Sequence, residues 1–226
     1  MGRGIVHLAS VAAIVFAPAA HGARPFVTDD ARIVEPGGYQ IETFIKRQHT
    51  FGEREFWFLP AHTPGSNVEL TLGGIWVSQP LEEDTGRRTL VAQAKTLLRK
   101  LETNGTGFAL TLGALRQSGN TNPYVNGIAS FSLADDRVVI HSNLGARRDA
   151  EEAITRGTWG LGTEIPLNPR LIGIGEIYGE RGQSPTRHVG LRFWAVPNRV
   201  QIDSTLGQQY GYPERRFHTI GLRLLW

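Results

Sequence analysis

The sequence predicts an all-β chain: a single antiparallel, up-and-down transmembrane β-barrel of about 12 strands. Three observations carry that prediction. Apolar and polar residues alternate with a period of two from Tyr39 to the C-terminus, the pattern of strands with one apolar and one polar face. Turn-forming clusters recur about every 31 residues, the spacing of a repeated hairpin. The last strand, Phe217 to Trp226, places Ile220, Leu222, Leu224 and Trp226 on one side and Thr219, Gly221 and Arg223 on the other, and it stops on an aromatic.

Bulk properties agree with a barrel and exclude several other classes. The chain has 226 residues, 27 Gly, 12 Pro and no Cys, with a net charge of +3. Without cysteine there are no disulfides and no thiolate chemistry. The mean hydropathy of -0.21 is too polar for a bundle of membrane helices, yet a barrel whose strands alternate averages to the same value. Charges of both signs are interspersed and no Lys/Arg run occurs, so nothing points to nucleic acid.

Residues 1–22 have the form of a secretory signal peptide, with Arg3, an apolar Leu8–Ala17 core and small residues at Ala17, Ala19, Ala20 and Gly22. Cleavage after Gly22 leaves a barrel domain over 23–226, opening with a periplasmic lead over 23–38. In that lead Asp29 and Asp30 either cap the backbone, remain solvated or take a cation.

From Tyr39 the expected lipid-facing sets are Tyr39, Ile41 and Ile45; Leu70, Leu72 and Trp76; Leu90, Ala92, Ala94 and Leu98; Phe108, Leu110 and Leu112; and Val125, Ala129, Phe131 and Leu133. Later strands continue with Val138, Ile140 and Leu144; Trp159, Leu161 and Ile165; Val189, Leu191 and Phe193; and Ile202 and Leu206. Thr89 to Lys100 also fits a helical period, but its alternation predicts a strand. Every other connection reads as tight: around Asn104-Gly105, Ala134 to Asp136, Pro166 to Pro169 and Val196 to Arg199. Asn-Gly is the pair that two-residue hairpins favour. The intervening connections, Gln117 to Asn122 among them, read as longer. With an even strand number and both termini in the periplasm, the tight set is periplasmic, as in outer-membrane barrels.

The blocks Ala23 to Val34, Pro60 to Gly74 and Gln93 to Arg99 are similar to a family of proteobacterial outer-membrane β-barrel proteins of the porin/transporter kind, some filed with phenol-degradation pathway MetA-like proteins. The resemblance spans most of the mature chain. It implies the same barrel and says little of the solute; the phenol label is not carried over.

The polar parity collects a lumen-lining set of Glu42, Glu69, Gln93, Lys95, Arg99, His141, Asn143, Arg147, Glu164, Glu176, His188, Arg192 and Arg223, with Asp203 beside them. Charges inside a barrel must pair or stay wet. Two functions follow: a passive channel or transporter for small solutes, or a non-conducting envelope barrel whose lumen is filled by salt bridges. Twelve strands fall between barrels that side chains fill and barrels with open channels. A soluble periplasmic β-sandwich binder is the third alternative. Ile220, Leu222, Leu224 and Trp226 are the expected assembly signal, addressed to outer-membrane lipid and the barrel-assembly machinery. No catalytic, metal or cofactor site is expected. In His141-Ser142-Asn143 neighbouring side chains point to opposite faces, so they form no nucleophile triad. Trp57, Trp76, Trp159, Tyr39, Phe56 and Phe58 are candidates for aromatic girdles.

Overall fold

In the computed structural model, residues 27–50, 52–79 and 86–226 are described. The predicted signal peptide and its cleavage site lie outside the described residues. Twelve strands follow in chain order: β1 (Tyr39–Gln48), β2 (Arg54–His62), β3 (Val68–Ser78), β4 (Arg87–Arg99), β5 (Thr106–Gln117), β6 (Asn120–Leu133), β7 (Val138–Asp149), β8 (Ile154–Pro166), β9 (Leu171–Glu180), β10 (Thr186–Val196), β11 (Val200–Gln209) and β12 (Arg216–Leu225). Each pairs antiparallel with its neighbours in sequence, and β12 pairs with β1, so the sheet closes. The seam is regular from Gln40 opposite Leu225 to Gln48 opposite Phe217. It is sealed at its end by Tyr39 N–H to Trp226 C=O at 2.8 Å and Trp226 N–H to Tyr39 C=O at 3.1 Å. Closure removes the unpaired edge that a chain without disulfides would otherwise expose. Among the described residues no helix is long and apolar enough to cross a membrane.

The alternation resolves into an inverted distribution of polarity. Leu72, Leu144, Val189 and Leu206 on the outside are more than 60% exposed, whereas Lys95, Glu164, Arg192 and Asp203 on the inside are at most 5% exposed. A soluble domain buries apolar groups and solvates charges. Here the exposed apolar face runs round every strand of the barrel, from Ile45 on β1 to Ile220 on β12.

Aromatic side chains mark both rims. At the Trp226 end, Tyr39 stacks on His62 at 4.1 Å and lies 6.1 Å from Trp226. At the Gln48 end, Phe56 and Trp76 are 5.6 Å apart. Trp57 is not a girdle residue: strand parity turns it inward, where it is 7% exposed and stacks on Phe44 at 5.0 Å. It belongs to an interior apolar cluster with Leu59, Ile75, Val91, Leu115 and Tyr124. Gly113 lies opposite Tyr124, and a Cβ there would come 2.3 Å from the ring, so only glycine leaves room for Tyr124 to lie along the inner wall.

The connections differ from expectation in two places. Between β5 and β6 there are only Ser118 and Gly119, with φ of 49° and 86°, the left-handed pair of a two-residue turn. The stretch from Gln117 to Asn122 is therefore not a long loop, and the predicted alternation of short and long connections is weaker than the sequence suggests. Asn104-Gly105 is the tail of a longer connection, with Asn104 at φ 56° and Gly105 N–H bonded to Glu102 C=O at 2.9 Å. That turn is knitted to the next: Asn104 Nδ2 donates to Asp135 Oδ1 at 2.6 Å, and Thr103 Oγ1 donates to Asp136 Oδ2 at 2.5 Å. These bonds hold Ala134, Asp135 and Asp136 in the left-handed region, at φ 53°, 57° and 62°. Left-handed backbone costs about 1–2 kcal/mol per non-glycine residue, which the cross-turn bonds offset.

Candidate functional site

The interior of the barrel is the candidate site, and its most informative occupant is the chain's own N-terminal segment. Residues 27–34, part of the expected N-terminal lead, lie inside the barrel. The reason lies in backbone accounting. Every strand of a closed barrel already spends its N–H and C=O groups on its two neighbours, so an extra segment finds no backbone partners and must bond to inward side chains. It does so residue by residue. Val27 N–H and Thr28 N–H donate to Glu176, at 3.0 Å and 2.8 Å. Asp29 exchanges two bonds with the Asn143 amide, its N–H reaching Oδ1 at 2.7 Å and its C=O accepting from Nδ2 at 2.8 Å. Ala31 N–H donates to Ser130 Oγ at 2.9 Å and Val34 N–H to Glu69 Oε2 at 3.0 Å. Gly160 faces Thr28, and a Cβ there would stand 2.6 Å from Thr28 Oγ1.

Charge pairing completes the seat. Lys95 Nζ lies 2.7 Å from Asp29 Oδ1 and 3.5 Å from Asp30 Oδ1. Asp29 and Asp30 are thus buried and not solvated; each caps local backbone, Asp29 Oδ1 accepting from Asp30 N–H at 2.9 Å and Asp30 Oδ1 from Arg32 N–H at 3.0 Å, and their counter-ions are the Lys95 ammonium and, for Asp30, the Arg32 guanidinium at 3.5 Å. Arg32 reaches Glu164 at 3.0 Å. Asn126 Nδ2 donates to Asn143 Oδ1 at 2.9 Å, fixing the amide that grips Asp29. Among the described residues no cluster of three or more His, Asp or Glu is placed to hold a metal ion.

The rest of the polar set forms a belt of pairs. Arg192 bridges Glu164 and Asp203, the latter at 3.0 Å, and Gln201 Nε2 donates to Asp203 Oδ2 at 2.8 Å. His188 Nδ1 meets Glu176 Oε1 at 2.7 Å. On its other side His188 meets Thr205, which in turn meets Thr219. Arg147 pairs with Glu180 at 2.7 Å. Arg223 Nε lies 3.3 Å from Glu42 and 2.8 Å from Gln40 Oε1. Gln93 accepts from Tyr124 Oη at 2.8 Å. Such a belt is charge-compensated almost throughout, which is the condition for keeping ions out of water.

Of the sequence-predicted lining residues, Arg99 alone faces away from the interior. A bulge after Leu97 inserts Leu98 as an extra residue, so Arg99 pairs with the outward Phe108 and is exposed. One added residue moves every later side chain to the other face. Residues that the sequence did not single out are Asp29, Asp30 and Arg32 as interior groups, and Glu55 and Glu180 on the wall; Asn126 and Ser130 fall on the polar face of β6, as alternation expects. Glu180 is the last residue of β9. Ser130, His141 and Glu164 lie in a row, with Ser130 Oγ 2.8 Å from His141 Nδ1. The row is not an activated nucleophile: His141 Nε2 is 3.7 Å from Glu164, and Ser130 is fully buried beneath the Ala31 amide.

A family model described as uncharacterised conserved protein UCP029691 matches residues 9–226. The chain belongs to that family. No curated protein matches it in sequence. Its fold is similar to solved porins. A structure described as KdgM porin aligns with a TM-score of 0.62 at 13% identity, covering 82% of this chain and 98% of the porin. One described as KdgM porin in complex with disordered oligogalacturonate aligns at 0.60 and 10% identity, covering 82% of this chain and 98% of that one. A NanC porin structure aligns at 0.63 and 8% identity, covering 81% and 98%. At these identities the likeness establishes the twelve-strand barrel, and the phenol-degradation filing finds no support.

Proposed function

We propose that this protein is a bacterial outer-membrane β-barrel that passes small solutes passively, with its segment 27–34 seated in the lumen at rest. The observation that carries the membrane half is the inverted polarity: an apolar outer face on every strand around a charged inner wall, the arrangement that lipid selects. The aromatic rims fit the two interfaces. The channel half is supported by the likeness of the barrel to porins, one of them described in complex with oligogalacturonate. It is supported also by where the polar wall lies, along the path of a segment that is not part of the sheet. Lipid and the barrel-assembly machinery are the partners, the latter addressed by Ile220, Leu222, Leu224 and Trp226; a small solute is the cargo, and no cofactor is needed.

One observation favours a second reading, an envelope barrel that conducts nothing. Val91, Leu59, Thr111, His141, Gln201 and Asp203 are each no more than 2% exposed, so barrel and segment together fill the interior at their levels. Arabinose flux through vesicles holding the refolded full chain separates the two. The channel reading expects flux that rises about tenfold in Asp29→Asn/Asp30→Asn, the change that a 1.4 kcal/mol weakening of the seat produces. Absence of flux in both proteins, with strand content intact by circular dichroism, establishes the non-conducting barrel instead.

A further inference from the structure

The seat of Asp29 and Asp30 has the make-up of a ligand site whose present occupant is the chain itself. Lys95, Thr111 and Asn126 are direct cross-strand neighbours on β4, β5 and β6, all turned inward. Asn143 and Ser130 adjoin them from β7 and β6. This wall presents an ammonium, two carboxamides and two hydroxyls, at most 6% exposed; the carboxylate of Glu69, the cross-strand neighbour of Lys95 on β3, accepts from Val34 N–H at 3.0 Å and Gln40 Nε2 at 3.1 Å. Thr111 Oγ1 is buried without a hydrogen-bond partner among the described residues, a donor left over directly beside Lys95. Such an orphan costs free energy in a finished structure and is expected where a ligand has yet to arrive.

The occupant is held by exchangeable bonds. Asp29 and Asp30 supply two adjacent carboxylates, and Asp30 Oδ2 makes no hydrogen bond among the described residues and lies 3.5 Å from the Arg32 guanidinium. Among the described residues the segment's buried apolar anchors are Ala31, in a cluster with Ala109, Ile128 and Leu97, and Val34, and its backbone N–H groups bond to side chains. A free dicarboxylate offers Lys95 the same charge, and the Thr111 hydroxyl is a donor that the segment does not use.

We propose that the Lys95–Thr111–Asn126 wall is an anion site for small carboxylate solutes, and that such a solute competes with Asp29 and Asp30 and displaces the segment. Occupancy of the site and release of the segment are then one equilibrium: an anion shifts it by its affinity for the vacated seat. The inference rests on the proposed function in one respect, that an aqueous solute reaches the interior.

The chain has no cysteine, so a single Ala31→Cys in the full protein reports the segment alone. In refolded vesicles its reaction with a water-soluble maleimide is followed with succinate or with chloride at matched ionic strength, and arabinose flux is read separately. Succinate is expected to speed labelling about tenfold over chloride, and Asp29→Asn/Asp30→Asn is expected to label at the raised rate without succinate. Equal rates in succinate and chloride overturn the site. Thr28→Cys gives the same readout should Ala31→Cys refold poorly. A labelling response without flux removes the passage and keeps the site; flux without a labelling response removes the site and keeps the passage.

Discussion

The interior of this barrel is filled in two different ways. On β1 to β6, towards the Gln48 end, Phe44, Trp57, Leu59, Ile75, Val91, Leu115 and Tyr124 pack against one another, and the wall fills its own lumen. Along the path of residues 27–34 the wall is polar, and a separate piece of chain completes it through hydrogen bonds and the Lys95 and Glu164 ion pairs. The difference teaches which part of the filling can leave. Apolar contacts have no aqueous substitute, since exposing them loses the transfer free energy outright. Polar contacts can be replaced one for one by water or by a solute with the same groups, so their net worth is small. The apolar region therefore sets stability, and the polar region sets what the lumen admits.

Substitutions that act on one region and spare the other test this division. Trp57→Ala removes the largest side chain of the apolar cluster and is expected to cost about 3–5 kcal/mol in urea unfolding from detergent micelles, while leaving the labelling rate of Ala31→Cys unchanged. Asp29→Asn/Asp30→Asn is the mirror case. The segment's seat loses about 1.4 kcal/mol of charge-assisted bonding, and hydrogen exchange of residues 27–34 accelerates about tenfold while strand amides keep their protection. Gly160→Ala drives a methyl group into Thr28 and is expected to weaken the seat by about 1–3 kcal/mol, again without change in the apolar cluster.

The smallest effect concerns the double turn outside the lumen. The hydroxyls of Ser132 and Thr103 donate to Asp136 and hold its carboxyl below the usual aspartate value of 3.8. Because the folded pKa is the depressed one, the carboxylate's contribution is complete above 3.8 and disappears as pH falls through the lower folded value. Amide exchange at Asn104 and Asp135 is expected to quicken only in that acidic window, and Asp136→Asn is expected to flatten the pH dependence.

Strand order, face assignment and closure were legible in the sequence because a period of two is a local signal, repeated twelve times and agreeing with itself. The inward position of Lys95, Glu164, Glu176 and Arg192 followed from the same parity. Arg99 escaped because a bulge has no signature in a stretch such as Leu97-Leu98-Arg99, and a single inserted residue inverts the parity beyond it. The segment 27–34 escaped for a deeper reason. Its partners are side chains more than 60 residues away in sequence at Lys95 and almost 150 away at Glu176, and no ladder rule connects them. The one trace was charge: an Asp29-Asp30 pair and Arg32 in the lead, matched by Lys95 and Glu164 on the polar parity. Side-chain-to-backbone pairing inside a closed sheet leaves no periodic mark.

The occupied lumen is tested most directly by a disulfide between Ala31→Cys and Ile128→Cys, two positions that belong to one buried interior cluster. In the assembled barrel of an otherwise cysteine-free chain, mild oxidation is expected to cross-link this pair, to suppress maleimide labelling and to abolish any response to succinate until the bond is reduced. A pair that stays reduced and reacts with maleimide as fast as a thiol on an exposed turn would place the segment outside the barrel and contradict the account.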